Sequence, residues 1–73
     1  EVDVTIGTEL AIEVKSSRSV QEKHLKGLKA LREENIFKRY IVVCREEHPH
    51  IEDGIEILPW QYFLETILTP PNP

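Results

Sequence analysis

The sequence predicts a small α/β domain built on a mixed β-sheet. Apolar residues alternate with period two over residues 1–15, and a continuous apolar run extends over residues 40–44. Apolar stripes at helical spacing precede and follow that run. A strand, a helix and a second strand in one sheet normally form a right-handed parallel crossover. The expected order is therefore a β-hairpin, a helix, a central parallel strand, a short strand and a C-terminal helix.

Residues 1–15 are predicted to form the hairpin, with its turn at residues 7–9. A three-residue loop keeps the apolar side chains of both strands on one face, so Ile6 is expected to pair with Leu10. A two-residue turn would suit the twist of the strands, but it would place Ile6 opposite Glu9. The apolar pattern therefore favours the three-residue loop.

The same register places Asp3 directly opposite Glu13, with Lys15 two residues further along the same face. Two carboxylates about 5 Å apart repel each other by about 3 kcal/mol at an effective dielectric constant of about 20. A positive group is therefore expected between them. Lys15 can supply that charge, and so can Mg²⁺ or Mn²⁺, which prefer oxygen ligands. Pairing of Glu13 with Lys15 on a solvated strand face is the alternative.

Asp3, a short turn and then Glu13-Val14-Lys15 resembles the core motif of the PD-(D/E)XK nucleases, which have the restriction-endonuclease-like fold. The resemblance implies that Asp3 and Glu13 bind Mg²⁺ or Mn²⁺, and that Lys15 orients or deprotonates the attacking water. Many relatives also carry a glutamine near the active site on the following helix, a role for which Gln21 is the candidate. Leu25 stands where one subtype has tyrosine.

The first helix is predicted over residues 20–34, with Ser19 as its N-cap and Glu22 completing a capping box. Its apolar stripe is expected to cover the hairpin face that carries Val4 and Ile12. The stripe consists of Val20, His24, Leu25, Leu28 and Leu31.

Residues 37–44 are predicted to form the central strand, buried on both faces, with Cys44 as a packed small hydrophobe. The polar stretch 45–54 is predicted to be a surface loop. It contains His48-Pro49-His50, but no further ligands at a spacing typical of a metal site.

Residues 55–58 are predicted to be a short strand, after which Pro59 begins the last helix. The helix is expected to dock on the sheet, with Trp60 as core or rim packing. Residues 1–68 would form one domain, and the proline-rich residues 69–73 a disordered tail. The docking stripe consists of Trp60, Phe63, Leu64, Ile67 and Leu68.

Composition and charge limit the kinds of partner and the cellular location expected for the domain. The net charge is −4, which argues against a dedicated nucleic-acid scaffold, although residues 15–32 contain six cations, the first being Lys15 and the last Arg32. These cations predict either a basic patch that could bind DNA or a solvated helix face. Cys44 is the single cysteine, so no internal disulfide can form, and a cytoplasmic location is expected. No apolar run is long enough to span a membrane.

Four segments are similar in sequence to the C-terminal domain of a group of prokaryotic AAA-type ATPases: residues 11–18, 24–28, 40–44 and 57–64. This resemblance implies an upstream ATPase domain, since no phosphate-binding glycine-rich loop occurs in these 73 residues. The chain lacks methionine and the helix and strand that begin the nuclease core, so it is interpreted as a fragment. Its exposed hairpin edge then predicts self-association.

Three functions follow as hypotheses. The first is a Mg²⁺-dependent nuclease domain. The second is a catalytically inactive DNA-binding or protein-binding appendage of the ATPase. The third is a structural interaction domain whose charged face is solvated or covered.

Overall fold

The computed structural model describes residues 2–68. Five strands form one mixed sheet in the order β1-β2-β3-β5-β4, which confirms the predicted α/β fold class. The predicted tail at residues 69–73 lies outside the described residues. The strands are β1 (Val4–Ile6), β2 (Leu10–Val14), β3 (Arg39–Cys44), β4 (His50–Glu52) and β5 (Ile55–Pro59). The helical segments are a 3₁₀ turn (Glu22–Leu25), α1 (Lys26–Glu33), α2 (Trp60–Phe63) and a π-helical turn (Leu64–Leu68).

The hairpin of β1 and β2 has the predicted register. Ile6 pairs with Leu10 and Val4 with Ile12 across a three-residue turn. The Glu9 amide donates to the Ile6 carbonyl oxygen at 3.0 Å, which closes that turn. Gly7 has φ +53°, a backbone conformation that glycine adopts without steric cost. The apolar pattern therefore outweighed the preference for a tighter turn.

β3 is the central strand, as predicted. It pairs in parallel with β2 on one side and with β5 on the other. Every residue of β3 except Arg39 is buried, which explains the continuous apolar run in the sequence. Cys44 is buried, its thiol donates to the Leu58 carbonyl oxygen at 3.5 Å, and burial raises its pKa. These features confirm Cys44 as a packed side chain.

The prediction of a loop over residues 45–54 was wrong in part, because β4 lies within it. β4 pairs antiparallel with β5 and forms one edge of the sheet. The turn between them is Asp53-Gly54, and both residues have positive φ, as a type I′ hairpin turn requires. All three residues of β4 are exposed, so the strand has no alternating apolar pattern. Main-chain pairing forms it, and only the Asp-Gly turn indicated it in the sequence.

The first helix covers the sheet face opposite to the predicted one. Leu25 and Leu28 pack with Ala11 of β2, whereas Ile12 contacts Phe63 of α2 on the other face. The prediction chose the hairpin face with the larger side chains, but the small side chain of Ala11 leaves room for the close approach of a helix. The cluster under α1 consists of Ala11, Val20, Leu25, Leu28, Tyr40, Val42, Cys44, Ile55 and Ile57.

The helical region also begins later than predicted. Gln21, not Ser19, is the N-cap of the 3₁₀ turn. The Gln21 amide donates to Nδ1 of His24 at 2.9 Å. Ser19 donates its amide to the Ser17 hydroxyl oxygen at 3.0 Å, so it belongs to a turn that precedes the helix. The capping-box arrangement therefore exists, two residues further along the chain.

The face that carries α2 is incompletely covered. Phe63 is buried there, but Trp60 and Leu64 of the predicted docking stripe are exposed, as are Val4 and Val14 of the hairpin. Pro59 is the last residue of β5 and caps α2 rather than beginning it. The exposed side chains border an apolar groove of about 340 Å³. We define the apolar groove by Val4, Ile6, Val14, Trp60, Phe63 and Leu64.

Candidate functional site

The parallel strands β2, β3 and β5 all end at the same edge of the sheet. Lys15 follows β2, Arg45 follows β3, and Trp60 follows β5. In open α/β sheets, ligands bind in the crevice outside the carboxyl ends of the strands. The chain therefore concentrates chemically versatile side chains where this architecture normally places a site.

Glu13 and Lys15 are in contact at this edge. Glu13 Oε2 lies 3.1 Å from Lys15 Nζ, and the two side chains are 4% and 38% exposed. Glu13 is buried because the alternation of β2 places it on the same face as Ala11, under the first helix. A buried carboxylate is costly unless it is paired, hydrogen-bonded or bound to a cation. Burial gives this glutamate a restricted geometry beside a partly exposed ammonium group.

Asp3 lies next to this pair but does not occupy the predicted position. The strand ladder begins at Val4, which pairs with Ile12, and the Asp3 amide also donates to the Ile12 carbonyl oxygen at 3.0 Å. The Asp3 amide therefore bonds to Ile12 where regular pairing would use Glu13, and Asp3 lies just beyond the end of the ladder. The Asp3 carboxylate instead accepts a hydrogen bond of 2.8 Å from the Val14 amide.

The carboxylates of Asp3 and Glu13 are oxygen donors of the kind that Mg²⁺ prefers. Among residues 2–68, no group of three or more His, Cys, Asp and Glu side chains is arranged to hold a metal ion. Mg²⁺ usually keeps several water ligands and binds through one or two carboxylates, so two can suffice. Lys15 cannot be a ligand while protonated, because an ammonium group has no acceptor.

Gln21 is exposed and is the N-cap of the 3₁₀ turn. Its main chain is fixed by His24: the His24 amide donates to the Gln21 carbonyl oxygen at 2.9 Å, in addition to the contact between the Gln21 amide and Nδ1. The structure thus brings together Glu13 and Lys15, places Asp3 on the adjacent main chain, and leaves Gln21 outside this contact.

An open cleft of about 700 Å³ lies at the same edge, and the sequence did not reveal it. It combines two guanidinium groups, an aromatic ring, an amide, two carboxylates and two imidazoles. The available signal was position, because Arg45 and Trp60 directly follow β3 and β5. We define this Trp60 cleft by Arg18, Arg45, Glu46, His50, Trp60 and Gln61.

Glu46 organises the floor of the Trp60 cleft. Its Oε2 accepts a 2.6 Å hydrogen bond from the Val20 amide, and its Oε1 lies 2.8 Å from Nε2 of His50. The Arg45 amide donates to the Ser17 carbonyl oxygen at 2.9 Å. These contacts fix the segments that follow β2 and β3 against each other. The His48-Pro49-His50 sequence contributes one imidazole to this arrangement through His50.

The predicted basic patch is interrupted by ion pairing. Lys29 lies 2.8 Å from Asp53 and 3.2 Å from Glu22. The hydrogen bond that Lys29 donates to Asp53, followed by the one it donates to Glu22, raises the pKa of Lys29, and Lys29 in turn lowers the pKa of Asp53. Exposed pairs of this kind contribute little to stability. They do neutralise the middle of the cationic stretch, so the helix does not present one continuous positive face.

Comparisons with known proteins identify a family but no individual relative. A family model described as Domain of unknown function (DUF4143) matches residues 1–63. The curated proteins and the solved structures gave no match. In the described range 2–68, no helix is long and apolar enough to cross a membrane.

Proposed function

The chain belongs to the family described as Domain of unknown function (DUF4143), and we propose that it is the nuclease-like domain of a larger ATPase. In this proposal the domain uses Mg²⁺ to hydrolyse phosphodiester bonds in DNA. The observation that carries the proposal is Glu13. Its carboxylate is 4% exposed and lies 3.1 Å from Lys15 at the carboxyl edge of the sheet. Glutamate is rarely buried in this way without a pairing or functional reason. The resemblance to the PD-(D/E)XK motif supplies the roles.

In this proposal Asp3 and Glu13 hold the cation. Bound Mg²⁺ supplies Lewis-acid polarisation of the phosphate and a more acidic water. Lys15 orients the attacking water and stabilises negative charge on the phosphate oxygens. Its side chain is 38% exposed, so it can meet a phosphate that approaches from solvent, while Glu13 remains buried.

A second candidate is a catalytically inactive DNA-binding or protein-binding appendage of the ATPase. Two observations favour it. The carboxylate of Asp3 already accepts a hydrogen bond from Val14, and that of Glu13 is already paired with Lys15. The apolar groove offers a surface that a protein partner could cover. In this case the charged groups hold the edge of the sheet together and perform no chemistry.

Metal-dependent cleavage separates these candidates. Supercoiled plasmid incubated with the full-length natural protein is expected to be nicked or linearised in Mg²⁺ or Mn²⁺, and to remain intact in EDTA, because the carboxylates need the cation to act on a phosphate. Gel electrophoresis measures the products. DNA binding without cleavage in Mg²⁺ would select the appendage, and cleavage that persists in EDTA would contradict the proposed site.

Binding of Mn²⁺ should be detectable at Asp3 and Glu13. Paramagnetic broadening of backbone amide NMR signals is expected to begin at these residues and their neighbours, with weak affinity because water supplies most ligands. A Glu13→Gln variant is the matched control and should lose the effect. Broadening confined to His48 and His50, with Asp3 and Glu13 unaffected, would rule out this cation site.

A further inference from the structure

The Trp60 cleft has the chemistry of a nucleotide-binding site. We propose that it binds an unstacked nucleotide of single-stranded DNA, with the base stacked on Trp60 and the phosphate held by Arg18 and Arg45. All three residues line the same cleft at the carboxyl edge of the sheet. The inference goes beyond the proposed function, because binding in this cleft requires neither a metal ion nor hydrolysis.

The two arginines differ from most other cations of the chain in having no carboxylate partner among residues 2–68. Both side chains are exposed at the cleft. A guanidinium group presents a planar fork of donors that matches phosphate oxygens, so it suits this ligand better than an ammonium group. Four cations elsewhere are instead occupied by carboxylates: Lys15, Lys29, Lys38 and Arg39.

Trp60 supplies the surface for a base. Its side chain is 46% exposed, although it begins α2 directly after the buried end of β5. Aromatic side chains beside cations are the usual platform for single strands, because every base has a π-face that can stack. Gln61 lines the same cleft and offers both a donor and an acceptor to a base edge. A duplex keeps its bases stacked internally, so this arrangement favours an unpaired strand.

The carboxylates of the cleft limit the electrostatic contribution. The Glu46 side chain is 16% exposed, and its two oxygens contact the Val20 amide and the His50 ring, one each. The Glu46 carboxylate is therefore directed into the protein. Glu47 is exposed and also lines the cleft. When the imidazoles are counted as neutral, the charges of the two arginines and the two glutamates of the cleft sum to zero. We therefore expect stacking to dominate the affinity and the dependence on salt to be shallow.

The chain contains a single tryptophan, so its fluorescence reports on the cleft directly. Titration with oligothymidylate in EDTA is expected to quench Trp60 emission, since the base stacks on the indole. For single strands, each lost phosphate contact lowers the slope of log K against log salt by about 0.7. Arg18→Ala and Arg45→Ala should each show this reduction and weaker binding. Lys26→Ala removes an exposed cation outside the cleft and is the charge-matched control.

Trp60→Leu completes the test, with a fluorescein-labelled strand followed by anisotropy. Loss of one stacked base is expected to weaken binding about tenfold or more. If thymidine monophosphate bound as tightly as oligothymidylate, the cleft would be confirmed as a nucleotide site and its ligand would be a free nucleotide. The proposal is overturned if no quenching occurs, if duplex binds more tightly than single strand, or if Lys26→Ala weakens binding as much as the arginine variants. Circular dichroism of each variant excludes loss of folding as the cause.

Discussion

Glu13→Gln should lower metal-dependent DNA cleavage by about 100-fold or more, while the free energy of unfolding changes by about 1 kcal/mol or less. The catalytic loss follows because glutamine keeps the shape but provides no charge for the cation, and losing one such electrostatic group typically costs about 10²–10³ in rate. The stability change is small because two effects oppose each other. The partly exposed pair with Lys15 is lost, but a buried charge is removed as well.

Glu52→Gln is the matched control for this experiment. Glu52 lies on the edge strand β4 with its side chain exposed, so the same substitution should change neither cleavage nor stability. Plasmid cleavage and urea unfolding measure the two properties separately. If Glu13→Gln unfolded the chain and the remaining folded fraction still cleaved DNA at the original rate, Glu13 would be a structural residue.

Leu28→Ala is expected to remove about 2–5 kcal/mol of folding free energy. Leu28 is fully buried in the first turn of α1 and belongs to the same core cluster as Tyr40 and Val42 of β3. A domain of this size has a total stability of roughly 4–11 kcal/mol. Alanine is the best helix former, so the expected loss comes from the cavity and not from the helix itself. Urea unfolding followed by far-ultraviolet circular dichroism measures the change.

Ile51→Ala serves as the comparison for Leu28→Ala. Ile51 is an exposed aliphatic residue on β4, so truncating it should cost less than about 1 kcal/mol. Comparable losses for the two variants would contradict the arrangement in which α1 and the sheet enclose the principal core. For Leu28→Ala, we expect the midpoint of urea unfolding to fall while the slope of the unfolding free energy against urea concentration stays unchanged.

The parts of the fold that sequence predicted correctly are those with strong side-chain alternation. Ile6 pairs with Leu10 because any slip would expose a whole apolar face, and β3 is central because it is apolar on both faces. β4 was missed because its side chains are exposed and leave no such pattern. The face bound by the first helix was also wrong, since alternation identifies two faces but does not indicate which helix covers each.

The candidate site was predictable only in part. The contact between Glu13 and Lys15 follows from their two-residue spacing on one strand face. The position of Asp3 did not follow, because it depends on where the main-chain ladder ends, and that has no side-chain signature here. Trp60 was expected to be packed, since its spacing matches the apolar stripe of its helix. Trp60 is instead exposed, at the point where β5 ends and α2 begins.

The position of β3 between two hairpins has a consequence for cooperativity. β1 pairs with β2 and β4 pairs with β5, each across a short turn, so each hairpin is local. In the sheet, only β3 hydrogen-bonds to both hairpins. Loosening of this one strand would leave two separate ribbons, each too small to be stable in water. All-or-none unfolding of the domain therefore depends on β3. The Glu13 site and the Trp60 cleft are stable together for the same reason, although β3 contributes no side chain to either.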